Sequence, residues 1–276
     1  MQKSFFESAG SFLLKSNIFI AIGASCVAYI TLFLLNLPVN YVVLAAVFFE
    51  SLLVYNINRL TDIDEDKINV PERMAFINRY TKPILAMSAL FYIYYASIVF
   101  SVNTTAFFIL IFQTLAAIAY SIFRIKKYFF IKNALVAFTW GTTVLFAGSY
   151  YGVFNISLAA IFAIIAFEFF VNNTIFDIKD MEGDRKCNIK TIANTFGAKK
   201  TILLGCLVNT FSVLILFETF AFGLLTERAN LLFLLLIYVY AYLYMAENTN
   251  NKVYYGLFVD GEFLFTAFFV LLYGMI

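Results

Sequence analysis

Apolar stretches long enough to cross a lipid bilayer, or nearly so, recur along the whole chain. A helix needs about 20 apolar residues to span the hydrocarbon core. Of the 276 residues, 63% are hydrophobic and only 13% are charged, which excludes an ordinary soluble domain. The runs are continuous rather than alternating, and this favours helices over the strands of a barrel. We therefore predict an all-α polytopic membrane protein with nine transmembrane helices. The nine predicted spans are residues 17–36, 39–60, 83–102, 104–123, 133–151, 155–176, 201–225, 229–245 and 254–275.

We expect a single membrane domain over residues 1–276, with a separate short helix at its N-terminal end. Before the first span, Phe5, Phe12 and Leu13 recur at helical spacing, with Lys3 and Lys15 beside them. This pattern predicts a short interfacial helix over residues 1–16 rather than a cleavable signal peptide. Because the chain contains no His, histidine-based triads and His-containing zinc sites are excluded.

The basic residues gather on one side of the predicted bundle. With nine spans, the loops after the second, fourth, sixth and eighth spans lie on the same side as the N-terminus. All of the 19 basic residues except Arg228 fall on that side. The positive-inside rule therefore predicts that the N-terminus and these loops are cytoplasmic. The loops after spans two and six are each roughly 20 residues long, more than a compact bundle needs for a turn, so we expect the chemistry there.

A first acidic motif lies at the end of the second span, where Asn58, Asp62 and Asp66 follow one another at intervals of four. If the helix continues past the membrane, residues four apart share one face and the three side chains converge. A single motif of this kind is also explained by a solvated acidic run at a helix end.

A second acidic motif follows the sixth span, where Asp177, Asp180 and Asp184 again share one helical face. Carboxylates so spaced repel one another unless a cation lies between them. Mg²⁺ is the expected cation, because it prefers oxygen ligands and completes its shell with phosphate oxygens and water. Two motifs at equivalent positions, four spans apart, make the solvated-run interpretation much weaker.

Basic residues accompany the acidic motifs in the same loops. Arg73 follows the first motif, Lys126 and Lys127 lie after the fourth span, and Lys190 follows the second motif. The positive-inside bias alone would place basic residues here. Acids and bases together at a membrane cavity would nevertheless suit a diphosphate bridged by Mg²⁺, with Arg or Lys neutralising the remaining oxygens.

The two motifs resemble those of the UbiA superfamily of intramembrane prenyltransferases. That superfamily carries an Asn-x-x-x-Asp-x-x-x-Asp motif after the second helix and an Asp-rich motif after the sixth. Asn58, Asp62 and Asp66 match the first, and residues 177–184 match the second. The number and placement of the spans agree, so the resemblance covers nearly the whole chain.

The second motif looks most like the branch that includes chlorophyll synthase, homogentisate prenyltransferases and archaeal digeranylgeranylglyceryl phosphate synthase. The ending at Asp184 and the following Lys190 carry this likeness. The chain departs from the archaeal lipid-forming members at Asn172 and Asn173, where those members resemble Arg-Glu.

The resemblance implies an enzyme that transfers a polyprenyl group from a polyprenyl diphosphate to an aromatic or lipid acceptor within the membrane. It implies that diphosphate is lost to leave an allylic carbocation, and that Asp180 or Tyr120 orients or deprotonates the acceptor. The implied partners are the donor, the acceptor and membrane lipid, with no nucleic acid. The implied diphosphate-binding residues are Arg73, Lys126, Lys127 and Lys190. The implied Mg²⁺ ligands are Asn58, Asp62, Asp66, Asp177, Asp180 and Asp184.

Acidic residues also occur inside the predicted spans, where a charge is costly and often functional. Glu50 and Glu168 belong to the helices that carry the motifs, and Asp260 and Glu262 lie in the ninth span. We expect Glu50, Glu168 and Asn173 to line the acceptor pocket. The alternative is that such acids lie near an interface or are paired inside the bundle.

Two other classes of protein remain possible from the sequence. A secondary transporter would use buried acids to carry protons or cations, although its key polar groups should lie near the midplane rather than at the cytoplasmic ends. A non-catalytic membrane protein of the same fold would not need both acidic motifs.

Overall fold

The computed structural model describes residues 5–69, 71–125, 128–186, 189–246, 249 and 253–275. The regular structure in these ranges is helical, which confirms the all-α prediction. Turns of 3₁₀ helix occur at Pro71–Arg73 and Glu227–Asn230, and π-helical turns at Ile77–Thr81 and Tyr254–Val259. The α-helices are α1 (Phe5–Lys15), α2 (Ile18–Leu34), α3 (Tyr41–Thr61), α4 (Ile63–Asn69), α5 (Met74–Phe76), α6 (Lys82–Val102), α7 (Thr104–Ile122), α8 (Ile131–Tyr150), α9 (Ile156–Lys186), α10 (Ile192–Phe196), α11 (Ala198–Ala221), α12 (Leu231–Met245) and α13 (Glu262–Met275).

Each of the nine predicted spans overlaps a different helix among α2, α3, α6 to α9 and α11 to α13. Six segments of the described chain are both long and apolar enough to cross a membrane: α3, the run Met74–Val102, α7, α9, α11 and the run Glu227–Met245. The helices α2 and α13 are apolar but shorter. The count of nine crossings therefore stays a prediction. The helix α1, which precedes α2, agrees with the expected N-terminal helix, and its interfacial position also stays a prediction.

The outside of the bundle is apolar, as lipid contact requires. Leu90 on α6, Phe108 on α7 and Phe211 on α11 each expose 60% or more of their surface. Soluble proteins rarely leave many large apolar side chains exposed together. The abundance of aromatic residues is thus explained partly by the surface that faces the membrane.

The inside of the bundle contains two apolar clusters. One is built from α2, α8, α9 and the helices α11 to α13, and the other from α2, α3, α6, α7 and α8. Because α2 and α8 contribute to both clusters, they join the two halves of the bundle. The residues that face the space between α3, α7, α8 and α9 are more polar than either cluster.

Local sequence signals explain where the helices begin. The side chain of Asn40 accepts a hydrogen bond from the Val42 amide at the start of α3, and Asn103 does the same for the Ala106 amide at the start of α7. Thr191 and Asn194 form a capping box at α10. Such caps satisfy amides that have no partner within the helix.

Two glycines of α8 lie at a close contact between α8 and α9. A Cβ atom built on Gly141 would lie 2.9 Å from Phe162 and 3.0 Å from the Cβ of Ala166, and one built on Gly148 would lie 2.5 Å from Leu158. The two glycines are seven residues apart and share one face of α8. They allow the two backbones to approach closely, as small residues do in membrane helix pairs.

This contact predicts that Gly148→Ala will destabilise the protein. Leu158 is almost fully buried, so it cannot move aside freely, and overpacking of this kind costs about 1–3 kcal/mol. Thermal unfolding in detergent should show a lower midpoint than the wild type. Gly274→Ala is the matched control, because nothing lies within 4 Å of the added methyl. Equal midpoints for the two variants would contradict the tight contact.

Candidate functional site

The second acidic motif is held by residues from the start of α8. Asp177 is buried, and its Oδ2 accepts a hydrogen bond of 2.9 Å from Asn133 Nδ2. Asn133 also donates to Thr174 Oγ1 at 3.0 Å. The Lys132 ammonium donates to Asp177 Oδ1. The close contact of α8 with α9 therefore presents two donors to one carboxylate.

Lys132 joins two carboxylates of the second motif. Its Nζ also lies 3.7 Å from Asp184 Oδ2, so one ammonium faces Asp177 and Asp184 together. Burial acts to lower the pKa of Lys132, but the two carboxylates outweigh burial and hold that pKa above its ordinary value. Lys132 therefore stays charged and stands where the two carboxylates would otherwise repel each other.

The first acidic motif does not lie on one unbroken helix. The condition that one helix continues past Asp62 is not met, because α3 ends at Thr61 and α4 begins at Ile63. The Thr61 hydroxyl donates to the Asn58 carbonyl at 3.0 Å, and such side-chain bonds compete with the helical pattern. The Asp62 amide still bonds to the Asn58 carbonyl, and the Asp66 amide to the Asp62 carbonyl, so the interruption is small.

The side chains of the first motif have separate partners. Arg59 Nη1 donates to both oxygens of Asp66 at 3.3 and 3.2 Å. Ser121 of α7 donates to Asn58 Oδ1 at 3.0 Å. Asp66 is thus turned toward an Arg on α3, while Asn58 is turned toward α7.

The two acidic motifs nevertheless lie at the same end of the bundle. α4 packs against α9, and the Tyr120 hydroxyl lies within electrostatic range of Asp62, Asp177 and Asp184. Asp180, which is half-buried, lies within electrostatic range of Lys132 and Arg59. The sequence prediction that the motifs form one charged region agrees with this arrangement.

The fit of these residues to a metal ion rests on Asp177 and Asp184. Within the described ranges, no three Asp, Glu or Cys side chains lie close enough together to hold a metal ion. Asp177 and Asp184 do face one cation, the Lys132 ammonium. Mg²⁺ is commonly held by one or two carboxylates, with water and phosphate oxygens completing its shell. The two carboxylates therefore fit Mg²⁺ once the Lys132 ammonium has moved away from them.

The basic residues expected at the diphosphate have different surroundings. Arg73 is half-buried in its 3₁₀ turn and lies within electrostatic range of Asp260 at the start of the last helical segment. Lys190 is exposed beside the buried Ile189. Lys126 and Lys127 lie outside the described residues.

A cavity of about 160 Å³ opens between α3, α7, α8 and α9, next to the acidic motifs. Asn58, Tyr120 and Ser121 lie at its motif end, whereas Glu50 and Gln113 lie about two helical turns deeper. The lining residues are Glu50, Ser51, Val54, Tyr55, Asn58, Gln113, Ala117, Tyr120, Ser121, Leu135, Val136, Thr139, Trp140 and Asn173.

Two of the three residues expected in an acceptor pocket line this cavity. Glu50 and Asn173 are among its lining residues, but Glu168 is not. Glu168 is fully buried and lies five residues before Asn173, so it points to a different face of α9. Asn172 shares that other face and donates to Glu262 Oε1 on α13 at 3.0 Å. Glu168, which was expected to line an acceptor pocket, therefore does not line this cavity.

Aromatic side chains lie along one side of the cavity. The indole of Trp140 donates to the Tyr55 hydroxyl at 3.1 Å. The Trp140 ring stacks on Phe169 at a centroid distance of 4.0 Å, and Phe169 stacks on Phe263 at 4.6 Å. These stacked rings fix the orientation of the indole.

Sequence reasoning missed Lys132, Arg59 and Gln113 as members of the site. Lys132 was counted only among the residues of the positive-inside bias. One signal could have singled it out, because it occupies the second position of α8, where the helix dipole disfavours a cation. A buried Lys at such a position needs a nearby anion. Arg59 and Gln113 carry no comparable signal.

A family model and several curated proteins match the sequence of this chain. The family model described as the UbiA prenyltransferase family matches residues 16–254. Digeranylgeranylglyceryl phosphate synthase from Methanosarcina mazei is 30% identical over 161 residues, which are 58% of this chain and 55% of that protein. The chain thus spans a little over half the length of the curated relatives that it matches.

Solved structures share the fold. A UbiA homologue from Aeropyrum pernix superposes with a TM-score of 0.72 at 17% identity, covering 94% of this chain and 98% of that one. A UbiA homologue from Archaeoglobus fulgidus, bound to GPP and Mg²⁺, superposes with a TM-score of 0.68 at 15% identity, covering 95% and 99%. At these identities the likeness concerns the fold.

The Lys132 contacts predict that Lys132→Met will destabilise the protein by about 3–5 kcal/mol, because a buried carboxylate then loses its counter-charge. Denaturant unfolding in mixed micelles measures this loss. Lys186→Met is the matched control, since Lys186 and its partner Glu182 are both exposed. Adding Asp177→Asn to Lys132→Met should restore part of the stability. If Lys132→Met unfolded like the control, the buried ion pair would be refuted.

Proposed function

Because the chain belongs to the UbiA prenyltransferase family, we propose that it transfers a polyprenyl group from a polyprenyl diphosphate to an aromatic or lipid acceptor within the membrane. One observation carries the proposal. Two acidic motifs meet at one end of the bundle, and a cavity with polar lining residues opens beside them. Charged and apolar parts of one substrate could be accommodated side by side there.

The acidic motifs are proposed to receive Mg²⁺ and the diphosphate of the donor. Asp177 and Asp184 would supply carboxylate oxygens, and Asn58, Asp62, Asp66 and Asp180 complete the proposed set. The GPP and Mg²⁺ bound to the Archaeoglobus fulgidus homologue, which has the same fold, support this assignment. Bound Mg²⁺ would neutralise the negative charge that builds up on the diphosphate as it leaves.

The proposed reaction breaks the bond between C1 of the prenyl chain and the diphosphate oxygen. The electron pair leaves with the diphosphate, and the prenyl group becomes an allylic cation. Lys132 and Arg73 are proposed to stabilise the negative charge on the leaving group. Lys132 would do so after exchanging its contacts with Asp177 and Asp184 for contacts with phosphate oxygens. Lys126, Lys127 and Lys190 remain further candidates for this role.

The acceptor then forms a bond to C1 of the cation and loses a proton. Tyr120 lines the cavity and lies at its motif end, so it is proposed to orient the acceptor. Asp180, on the second motif, is the proposed proton acceptor. The rings of Trp140 and Tyr55 line the cavity and present aromatic surface, which can stabilise a nearby cation.

We also propose that the motif end of the bundle faces the cytoplasm. All of the 19 basic residues except Arg228 belong to this end in the nine-span arrangement. Diphosphate released at this end could then pass directly into the aqueous cytoplasm after each turnover.

We expect Asp62→Ala and Asp177→Ala each to lower prenyl transfer at least about 100-fold, since metal-assisted charge stabilisation amounts to several kcal/mol. Diphosphate release from geranyl diphosphate and Mg²⁺ in proteoliposomes measures this effect. Asp64→Ala is the matched control, because Asp64 is exposed and forms its ion pair with the equally exposed Lys67. Wild-type turnover in both motif variants would contradict the metal site. Cation flux without diphosphate release would favour a transporter instead.

A further inference from the structure

We propose that the acceptor is an uncharged molecule that carries a hydroxyl group, rather than an anionic one such as a phosphate-bearing lipid. The inference rests on the proposed function and concerns the cavity between α3, α7, α8 and α9. None of the residues that line this cavity in the described chain is Lys or Arg. An anion entering it would leave water without gaining a counter-charge, which is strongly unfavourable.

Glu50 makes the deep end of the cavity unsuitable for an anion. Glu50 is 3% exposed and lines the cavity. Its Oε2 accepts hydrogen bonds from Ser51 Oγ at 3.3 Å and from Gln113 Nε2 at 3.4 Å. A charged Glu50 repels an anion, and a neutral Glu50 offers it no positive charge. In both forms the carboxyl group can hydrogen-bond to a hydroxyl.

Two amide groups of the lining add to the same preference. Gln113 Nε2 also donates to Thr143 Oγ1 at 3.0 Å, which fixes the orientation of the amide. Among the described residues, Gln113 Oε1 and Asn173 Nδ2 have no hydrogen-bond partner. One is an acceptor and the other a donor. A hydroxyl can both donate and accept, so it can pair with either group, whereas a phosphate or carboxylate offers only acceptors to Gln113 Oε1.

Two described cations near the cavity, Lys132 and Arg59, already have acidic partners. Lys132 faces Asp177 and Asp184, and Arg59 holds Asp66. In the proposed reaction Lys132 turns from these carboxylates to the donor diphosphate. A second anionic group on the acceptor would therefore compete with the donor at the motif end or be left unpaired deeper in the cavity. This separates the chain from its named relatives, whose names specify a phosphate-bearing product.

The cavity carries its own reporter. Trp140 is the one tryptophan of the sequence and lines the cavity. Its indole is held by Tyr55 and stacked on Phe169. A molecule that enters the cavity changes the surroundings of this indole, so tryptophan emission measures occupancy without any chemical step.

The test titrates the purified full-length protein with two pairs of probes, in each of which one member carries an added anionic group. One pair is 4-propylphenol and 3-(4-hydroxyphenyl)propanoate, and the other is 1-octylglycerol and its 3-phosphate. We expect the neutral member of each pair to reach half-saturation at a concentration at least about tenfold lower, because its partner must bury an uncompensated charge. Equal or tighter binding of the anionic members would overturn the proposal, and so would the absence of any emission change.

Two variants test whether the cavity lining causes the difference in affinity between the neutral and the anionic probes. Glu50→Gln should reduce the difference in half-saturation concentration between the two members of each probe pair, because the amide can donate a hydrogen bond to an anion. Glu218→Gln is the matched control on the exposed surface of α11 and should leave the difference unchanged. If both variants reduced this difference in half-saturation concentration equally, the proposed role of Glu50 would be overturned. Diphosphate release is measured separately with geranyl diphosphate and Mg²⁺, so a failure of the proposed transfer reaction is distinguished from a failure of the acceptor proposal.

Discussion

The close packing of α8 on α9 fixes the distances on which the site depends. Gly141 and Gly148 remove the side chains that would keep the two helices apart. As a result, the first residues of α8 reach Thr174 and Asp177 on α9, and Lys132 can face two carboxylates at once. An ion pair in a region of low dielectric needs such fixed geometry, because the cost of removing charges from water is recovered only at good contacts.

The long helix α9 separates two kinds of polar group by its faces. Asn173 and Asp177 are four residues apart and face the cavity and the acidic region. Glu168 and Asn172 are also four residues apart, but their face packs toward α13. A single helix thus carries a face for substrate and a face for helix association. In the membrane interior, polar side chains of the second kind can hold helices together through hydrogen bonds.

Much of the fold followed from the sequence, because apolar length and helical periodicity are local properties. The nine predicted helices and the placement of both motifs at one end came from these signals alone. The break at Asp62 was missed because it is a local change of backbone geometry that keeps the hydrogen bonds from the Asp62 and Asp66 amides. Lys132 was missed because its role depends on which helix lies opposite. Spacing alone could not show that Glu168 faces away from this cavity, because both faces of α9 are largely covered by protein. Such features depend on tertiary contacts that composition and spacing do not encode.

The size of the cavity bears on how the protein could treat a long isoprenoid. Pockets that enclose drug-sized molecules have volumes of about 300–1,000 Å³, whereas this one has about 160 Å³. In the proposed reaction it would accommodate little more than the acceptor and the reacting end of the donor. The rest of the chain would then lie in the hydrocarbon of the bilayer or along grooves on the lipid-facing surface, such as the apolar one between α3, α6 and α7. Without a protein wall at the far end of the donor chain, the cavity itself would place little limit on donor length.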